Sequence, residues 1–107
     1  MAHNLKSIRQ KFKENGVFYT EKALAEKIRS YLPADVDEIY DPTCGDGGLL
    51  SVFPDEVRKY GQEIDLEQLE EARKRLVNFE GKGGDTLTDP QFDRQFKYII
   101  ANPPFSL

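Results

Sequence analysis

Cysteine and histidine are nearly absent from this sequence, with Cys44 and His3 the single representative of each. One thiol closes no internal disulfide, and one thiol with one imidazole falls short of the ligands a zinc site requires. Long hydrophobic runs are missing as well. No apolar stretch approaches the ~20 residues that cross a bilayer. The stretch from Met1 to Lys13 is polar and basic, unlike a secretory signal. These absences predict a cytoplasmic protein with no metal and no membrane partner. A basic excess is also lacking. With 15 Lys and Arg against 19 Asp and Glu, the net charge is −4, which argues against a free-standing nucleic-acid-binding protein.

What is present is the composition of an ordinary globular chain, 38% hydrophobic, 11% aromatic and 32% charged. Its 107 residues are expected to form a single domain, 1–107, with a modest core. Charge is spread unevenly. Lys6, Arg9, Lys11 and Lys13 stand at the N-terminus with no acid among them. Residues 1–15 therefore read as a basic segment, either a solvated, flexible end or a short arm on backbone phosphate.

No repeat, low-complexity tract or linker divides the chain. Residues 21–32 carry Leu24, Ile28 and Tyr31/Leu32 at helical spacing, with Thr20 at the N-cap and Pro33 after the end. Residues 37–41 read as a short strand, and 48–53 as at most a short helix, because Pro54 interrupts it. A second strand is expected over 60–64. A helix follows over about 66–78, with Leu69, Ala72 and Leu76 on one face. Asp65 is placed as its N-cap, and Gln68 three residues on resembles the second half of a capping box. A third strand is expected near 78–83. The clearest strand is 97–101, stopped by Asn-Pro-Pro. Helices alternating with strands predict an α/β fold with a doubly wound parallel sheet, which binds ligands at the carboxyl ends of its strands.

The residues with chemical potential fall at those ends. Asp41-Pro42-Thr43-Cys44-Gly45-Asp46-Gly47-Gly48 follows the first strand. Its glycines permit positive φ and let a ligand approach the backbone. Gly45 and Gly47 supply two glycines of a dinucleotide fingerprint, but Leu50 takes the third position, which disfavours a nicotinamide or flavin dinucleotide. Glu63 lies 18 residues past Gly45, close to the spacing at which an acid meets ribose hydroxyls. Asp41 is suited either to capping its own turn or to accepting a hydrogen bond from an ammonium group.

Asn102-Pro103-Pro104-Phe105 is the most specific segment. An exocyclic amine conjugated to a ring is a poor nucleophile, because its lone pair is delocalised. The Asn102 amide oxygen and the Pro103 carbonyl are suited to accept one hydrogen each and steer that nitrogen toward tetrahedral geometry. The two prolines fix the backbone that presents them. Phe105 offers a face on which an extruded base stacks, worth about 1–3 kcal/mol.

Five segments, Gly16-Val17-Phe18-Tyr19-Thr20, Asp41 to Gly48, Gly61-Gln62-Glu63-Ile64-Asp65, Gly84-Asp85-Thr86-Leu87 and Asn102 to Phe105, stand in the order and near the spacing of a known family. Together they resemble the N6-adenine DNA methyltransferases, most of all the modification subunits of type I restriction systems. The resemblance implies a partial, Rossmann-like S-adenosylmethionine-dependent methyltransferase fold of about four parallel strands. The chain would be the N-terminal, cofactor-binding half of the catalytic domain. It assigns the methionine end of S-adenosylmethionine to Phe18, Tyr19 and Thr20 and to Asp41, Thr43, Gly45, Asp46 and Gly47. Glu63 and Ile64 would meet the ribose side, and Asp85 and Thr86 the adenine. The acceptor-base site would be Asn102, Pro103, Pro104 and Phe105, with Asn102 also near the cofactor.

Four departures stand out. Glu21 occupies a position where the family usually has proline, and Asp46 one where it usually has Ser or Thr. Pro54 shortens the helix after the glycine turn. The match stops at Leu107, whereas family enzymes continue with the rest of the sheet and with target-recognition regions. The expectation is a chain nearly inert alone, reaching DNA through a complete enzyme with a C-terminal half or a specificity subunit. Two other readings stand beside this one: a non-catalytic cofactor-binding or regulatory module, and a protein glutamine amide methyltransferase.

Overall fold

The structure is a computed structural model that describes residues 21–101. Helix α1 (Glu21–Arg29) leads into strand β1 (Glu38–Asp41). A single 3-10 turn (Leu50–Val52) precedes β2 (Arg58–Glu63), α2 (Leu66–Arg75) and β3 (Phe79–Gly83). The strands form a parallel sheet in the order β1-β2-β3, with Tyr40 opposite Tyr60 and Tyr60 opposite Glu80. On the free side of β1, the Tyr40 amide donates to the Tyr98 carbonyl at 3.1 Å, and the Ile100 amide donates to the Tyr40 carbonyl at 2.9 Å. Across the sheet the order is therefore β3, β2, β1 and then the 98–100 segment. The chain steps outward in one direction from β1 and later returns to its other side.

The fourth strand expected over 97–101 is reduced to one parallel bridge between Tyr40 and Ile99. The sheet thus has three strands and a bridged segment, where about four strands were expected. β1 is four residues long and gives way to the Pro42 turn, so it offers the incoming segment little to pair with.

Both helices are shorter than their apolar spacing suggests. α1 stops at Arg29 because Tyr31 and Leu32 donate to carbonyls three residues back, tightening the last turn ahead of Pro33. Tyr31, expected on the buried face, is 77% exposed as a result. α2 stops at Arg75, with Leu76 already extended and Asn78 at φ 60. Its last turn carries Arg73, Lys74 and Arg75, which suits the negative end of the helix dipole.

One face of the sheet packs on the helices. Ala25, Ile39, Leu50, Leu69, Ala72 and Leu76 belong to a single apolar cluster there. Strand alternation also drives Lys59 into that layer. Its ammonium donates to the Pro54, Val57 and Val77 carbonyls at 2.8, 3.0 and 2.8 Å, while burial lowers its pKa. The opposite face carries Tyr40 and Tyr60 and is covered by the irregular segment 84–98. Phe96 stacks on Tyr40 with centroids 4.4 Å apart, and Phe92 meets both tyrosines edge-on. Gln62 ties that segment down by donating to the Asp89 carbonyl at 2.8 Å and accepting from the Gln91 amide at 3.0 Å. No helix among the described residues is long and apolar enough to cross a membrane.

Candidate functional site

The chain reverses direction in the sheet at β1, and in open parallel sheets such a switch opens a crevice at the carboxyl ends of the strands. The turn after Asp41 lies at that crevice. Thr43 donates to Asp41 Oδ1 through its amide at 3.0 Å and its hydroxyl at 3.5 Å, so Asp41 does cap its own turn. Among the described residues, both bonds land on Oδ1. The Cys44 amide donates to the Gln62 carbonyl at 3.0 Å, anchoring the turn to β2. Gly45 and Gly47 then adopt φ 54 and φ 86, left-handed values that a side chain would strain. A Cβ on Gly47 would also lie 2.8 Å from Leu76 Cδ1, so this turn rests directly on the end of α2.

Glu63, the last residue of β2, reaches across to the turn. Its Oε1 accepts from the Gly45 amide at 2.8 Å, and its Oε2 accepts from the Asp65 amide at 2.9 Å. A carboxylate has about four acceptor directions, so each oxygen retains capacity for a hydroxyl donor. Asp65 is the N-cap of α2, its Oδ1 accepting from Glu67 and Gln68 amides at 3.0 and 3.3 Å. The expected capping box is corrected here. Glu63, and not Gln68, takes the Asp65 amide, which leaves the Gln68 side chain to line the cleft.

That cleft has a volume of about 310 Å³ and is bordered by Glu21, Asp41, Thr43, Cys44, Gly45, Asp46, Gly48, Leu49 and Gln68. Asp41 is 1% exposed. Burial pushes its pKa up to about 7 against the opposing Thr43 hydrogen bonds, and the nearby Glu63 charge adds to the rise. Burial first, then Asp41 and Glu63, push the Cys44 thiol up to about 12, so it is a neutral packing group and no nucleophile at neutral pH. Asp46 turns Oδ1 to the Gly48 amide at 3.1 Å and Oδ2 to Arg75 at 3.5 Å. Among the described residues, no group of His, Cys, Asp and Glu is arranged to hold a metal ion.

Of the residues singled out in the sequence, Asp41, Thr43, Gly45 and Asp46 meet in this one cleft, with Gly47 beneath and Glu63 bonded to its glycine. Ile64 stands beside it, 66% exposed. Asp85 and Thr86 are at the carboxyl end of β3 but outside the cleft lining. Asp85 Oδ1 accepts from the Leu87 amide at 2.9 Å, and the Thr86 hydroxyl donates to the Pro42 carbonyl, tying its loop to the glycine turn. Phe18, Tyr19, Thr20, Asn102, Pro103, Pro104 and Phe105 lie outside the described residues. Five cleft residues, Glu21, Cys44, Gly48, Leu49 and Gln68, carried no individual assignment from the sequence. Gln68 was hidden by its capping-box spacing, and Glu21 was visible only as a departure from the family pattern.

The chain is similar to known proteins in sequence and in fold. Among curated relatives, the type I restriction enzyme MjaIX methylase subunit of Methanocaldococcus jannaschii is 30% identical over 88% of this chain, and the type II methyltransferase M.VspI of a Vibrio species is 32% identical over 86%. The chain spans only 20% and 26% of their respective lengths. Among solved structures, DesVI of Streptomyces venezuelae overlaps 94% of this chain with a TM-score of 0.63 at 23% identity, the chain covering 44% of it. A TehB-like SAM-dependent methyltransferase of Corynebacterium glutamicum overlaps 90% with a TM-score of 0.59 at 19% identity, the chain covering 51% of it. These two overlaps show a shared fold. A family model, N-6 DNA Methylase, matches residues 5–107, and the chain belongs to that family.

Proposed function

We propose that this chain is the S-adenosylmethionine-binding part of an adenine-N6 DNA methyltransferase of a restriction-modification system. The observation that carries the reading is the Glu63 bridge. One carboxylate at the end of β2 holds the positive-φ turn after β1 and keeps acceptor capacity free at its side. That is the arrangement a ribose diol needs beside a backbone that a Cβ would block.

The residues present fit such a cofactor. Asp41, buried at the cleft wall, would accept from the ammonium of a methionine tail. Thr43, Gly45, Asp46 and Gly47 would border that tail, with Phe18, Tyr19 and Thr20 closing over it. Ile64, exposed beside Glu63, would lie along the nucleoside, and Asp85 and Thr86 would approach the adenine. Once bound, the cofactor supplies an electrophilic methyl group on a sulfonium. Asn102 and the Pro103 carbonyl would accept the two hydrogens of an adenine amine, Pro104 would hold them rigid, and Phe105 would stack the flipped base. DNA would be gripped through the rest of a complete enzyme, by a further catalytic half or a specificity subunit.

Calorimetric titration of the chain with S-adenosylmethionine tests the first half of this reading, with binding at one site expected. Methylation of unmodified DNA, with and without a cognate partner chain, tests the second. Absence of cofactor binding would sink the reading. Binding without methylation, even with the partner present, would reduce the chain to a cofactor-binding module.

A further inference from the structure

Two carboxylates 25 residues apart in the sequence, Glu21 and Asp46, converge in space. Glu21 opens α1 and Asp46 sits in the glycine turn, yet both carboxylates occupy the space over Gly48. A Cβ there would collide with Glu21 Oε1 and lie 3.5 Å from Asp46 Oδ1. Both residues border the same cleft as Asp41. The ionisable groups around that cleft are therefore Glu21 from α1, Asp46 from the turn, Glu63 from β2 and Arg75 from α2, with Asp41 from β1 only partly ionised near pH 7. Among the described residues, Arg75 is the only cation paired with any of these carboxylates, and it is half exposed at the rim, where solvent weakens the pairing.

Like charges brought together with only this one partly solvated counter-charge favour a cation that enters between them. The cation at issue is the one that the proposed cofactor site takes, the sulfonium and ammonium of S-adenosylmethionine. We propose that Glu21 and Asp46 make this cleft discriminate by charge between the methyl-donating cofactor and its demethylated product. The inference rests on the reading of the cleft as a cofactor site. S-adenosylmethionine carries a sulfonium, an ammonium and a carboxylate, for a net charge of +1. During transfer, the sulfur–methyl bond breaks and its electron pair stays on sulfur. The new bond forms from the amine nitrogen to the methyl carbon, and the amine loses a proton to solvent. The nucleoside left behind is a neutral thioether with net charge 0. An acidic cleft holds the first more strongly than the second, so transfer itself weakens retention of the product.

Titration of the 107-residue chain with three ligands tests this. They are S-adenosylmethionine, S-adenosylhomocysteine, and the analogue with a protonated amine in place of the sulfonium. Both cationic ligands are expected to bind at least about tenfold more tightly than the thioether at low salt, with the gap narrowing in ~0.5 M salt. In the double variant Glu21→Gln with Asp46→Ser, the gap should shrink to about threefold or less, chiefly through weaker binding of the cations. Equal affinities in the native chain would overturn the charge inference while leaving the cofactor site standing. A gap that survives the double substitution would overturn its assignment to these two residues. Failure of all three ligands to bind would remove the cofactor reading and this inference with it.

Discussion

Asp41 carries the largest tension of any described residue between a carboxylate's preference for water and its place in the fold. Burial raises its pKa from 3.8 to about 7, whereas the unfolded chain titrates it near the ordinary value. Folding therefore takes up a proton between pH 4 and 7. Stability from the neutral carboxyl is complete below about pH 4 and is lost as pH rises through about 7. Asp41→Asn keeps an oxygen for Thr43 and removes the titration. The variant is expected to melt several degrees above the native chain at pH 8 and at the same temperature near pH 4, as followed by circular dichroism. Under the proposed function, an ammonium set against Asp41 reverses that shift. Cofactor binding near pH 6 should then release close to one proton, read by calorimetry in buffers of differing ionisation enthalpy.

Glu63 and Asn102 divide the proposed work, and their variants should fail differently. Glu63→Gln keeps one acceptor for the turn but loses the charge, and is expected to weaken cofactor binding about 10- to 100-fold. In a complete enzyme, Asn102→Ala should abolish turnover and leave cofactor affinity nearly intact. Equal losses of affinity in the two variants, measured by titration, would break this division of labour.

At the scale of elements, the first three strands, the helix α2 and the glycine turn were legible because each carries a local signal, whereas the strand expected over 97–101 is a single bridge. Asp65 announces its N-cap, Asp41-Pro42 its turn, and Leu69, Ala72 and Leu76 their buried face. What escaped was whatever depends on partners distant in sequence. Lys59 fell outside the strand expected over 60–64 and Gln62 carried no individual role, yet both are buried, because carbonyls from other loops satisfy them. Glu63 was recognised as a ligand candidate, but its hold on the Asp65 amide was not, since capping by a residue before the N-cap has no spacing rule of its own. Segment 84–98 covers a whole sheet face without helical or strand periodicity, using Phe92 and Phe96 against Tyr40 and Tyr60. Its attachment depends heavily on Gln62. Gln62→Ala leaves the Asp89 carbonyl and the Gln91 amide without their buried partner, at a cost of about 1–3 kcal/mol. Limited proteolysis should then cut first within 85–97; unchanged resistance there would show that the aromatic contacts and the Thr86 tie hold the segment without Gln62.

For the whole molecule, small size decides how strongly a ligand is felt. Among the described residues, three strands, two short helices and one apolar cluster bury a modest core, so the margin of stability there is narrow. The cleft joins α1, β1, the glycine turn and α2, and so touches most of the elements that make up the fold. A ligand seated there binds the folded chain alone. At a concentration 100 times its Kd, it adds about 2.7 kcal/mol. For a domain of this size each kcal/mol moves the melting temperature by roughly 4–8 °C, so saturating S-adenosylmethionine is expected to raise it by about 10 °C or more. The shift should grow with the logarithm of ligand concentration and follow the affinities measured by titration. Amide exchange should slow on ligand addition at Gly45, Gly47 and Gly48, with little change at the Lys59 end of the sheet, where Pro54 and Val77 close the opposite side of the core. A shift of that size with protection spread evenly over both ends would mean that the ligand stabilises the fold from somewhere other than this cleft.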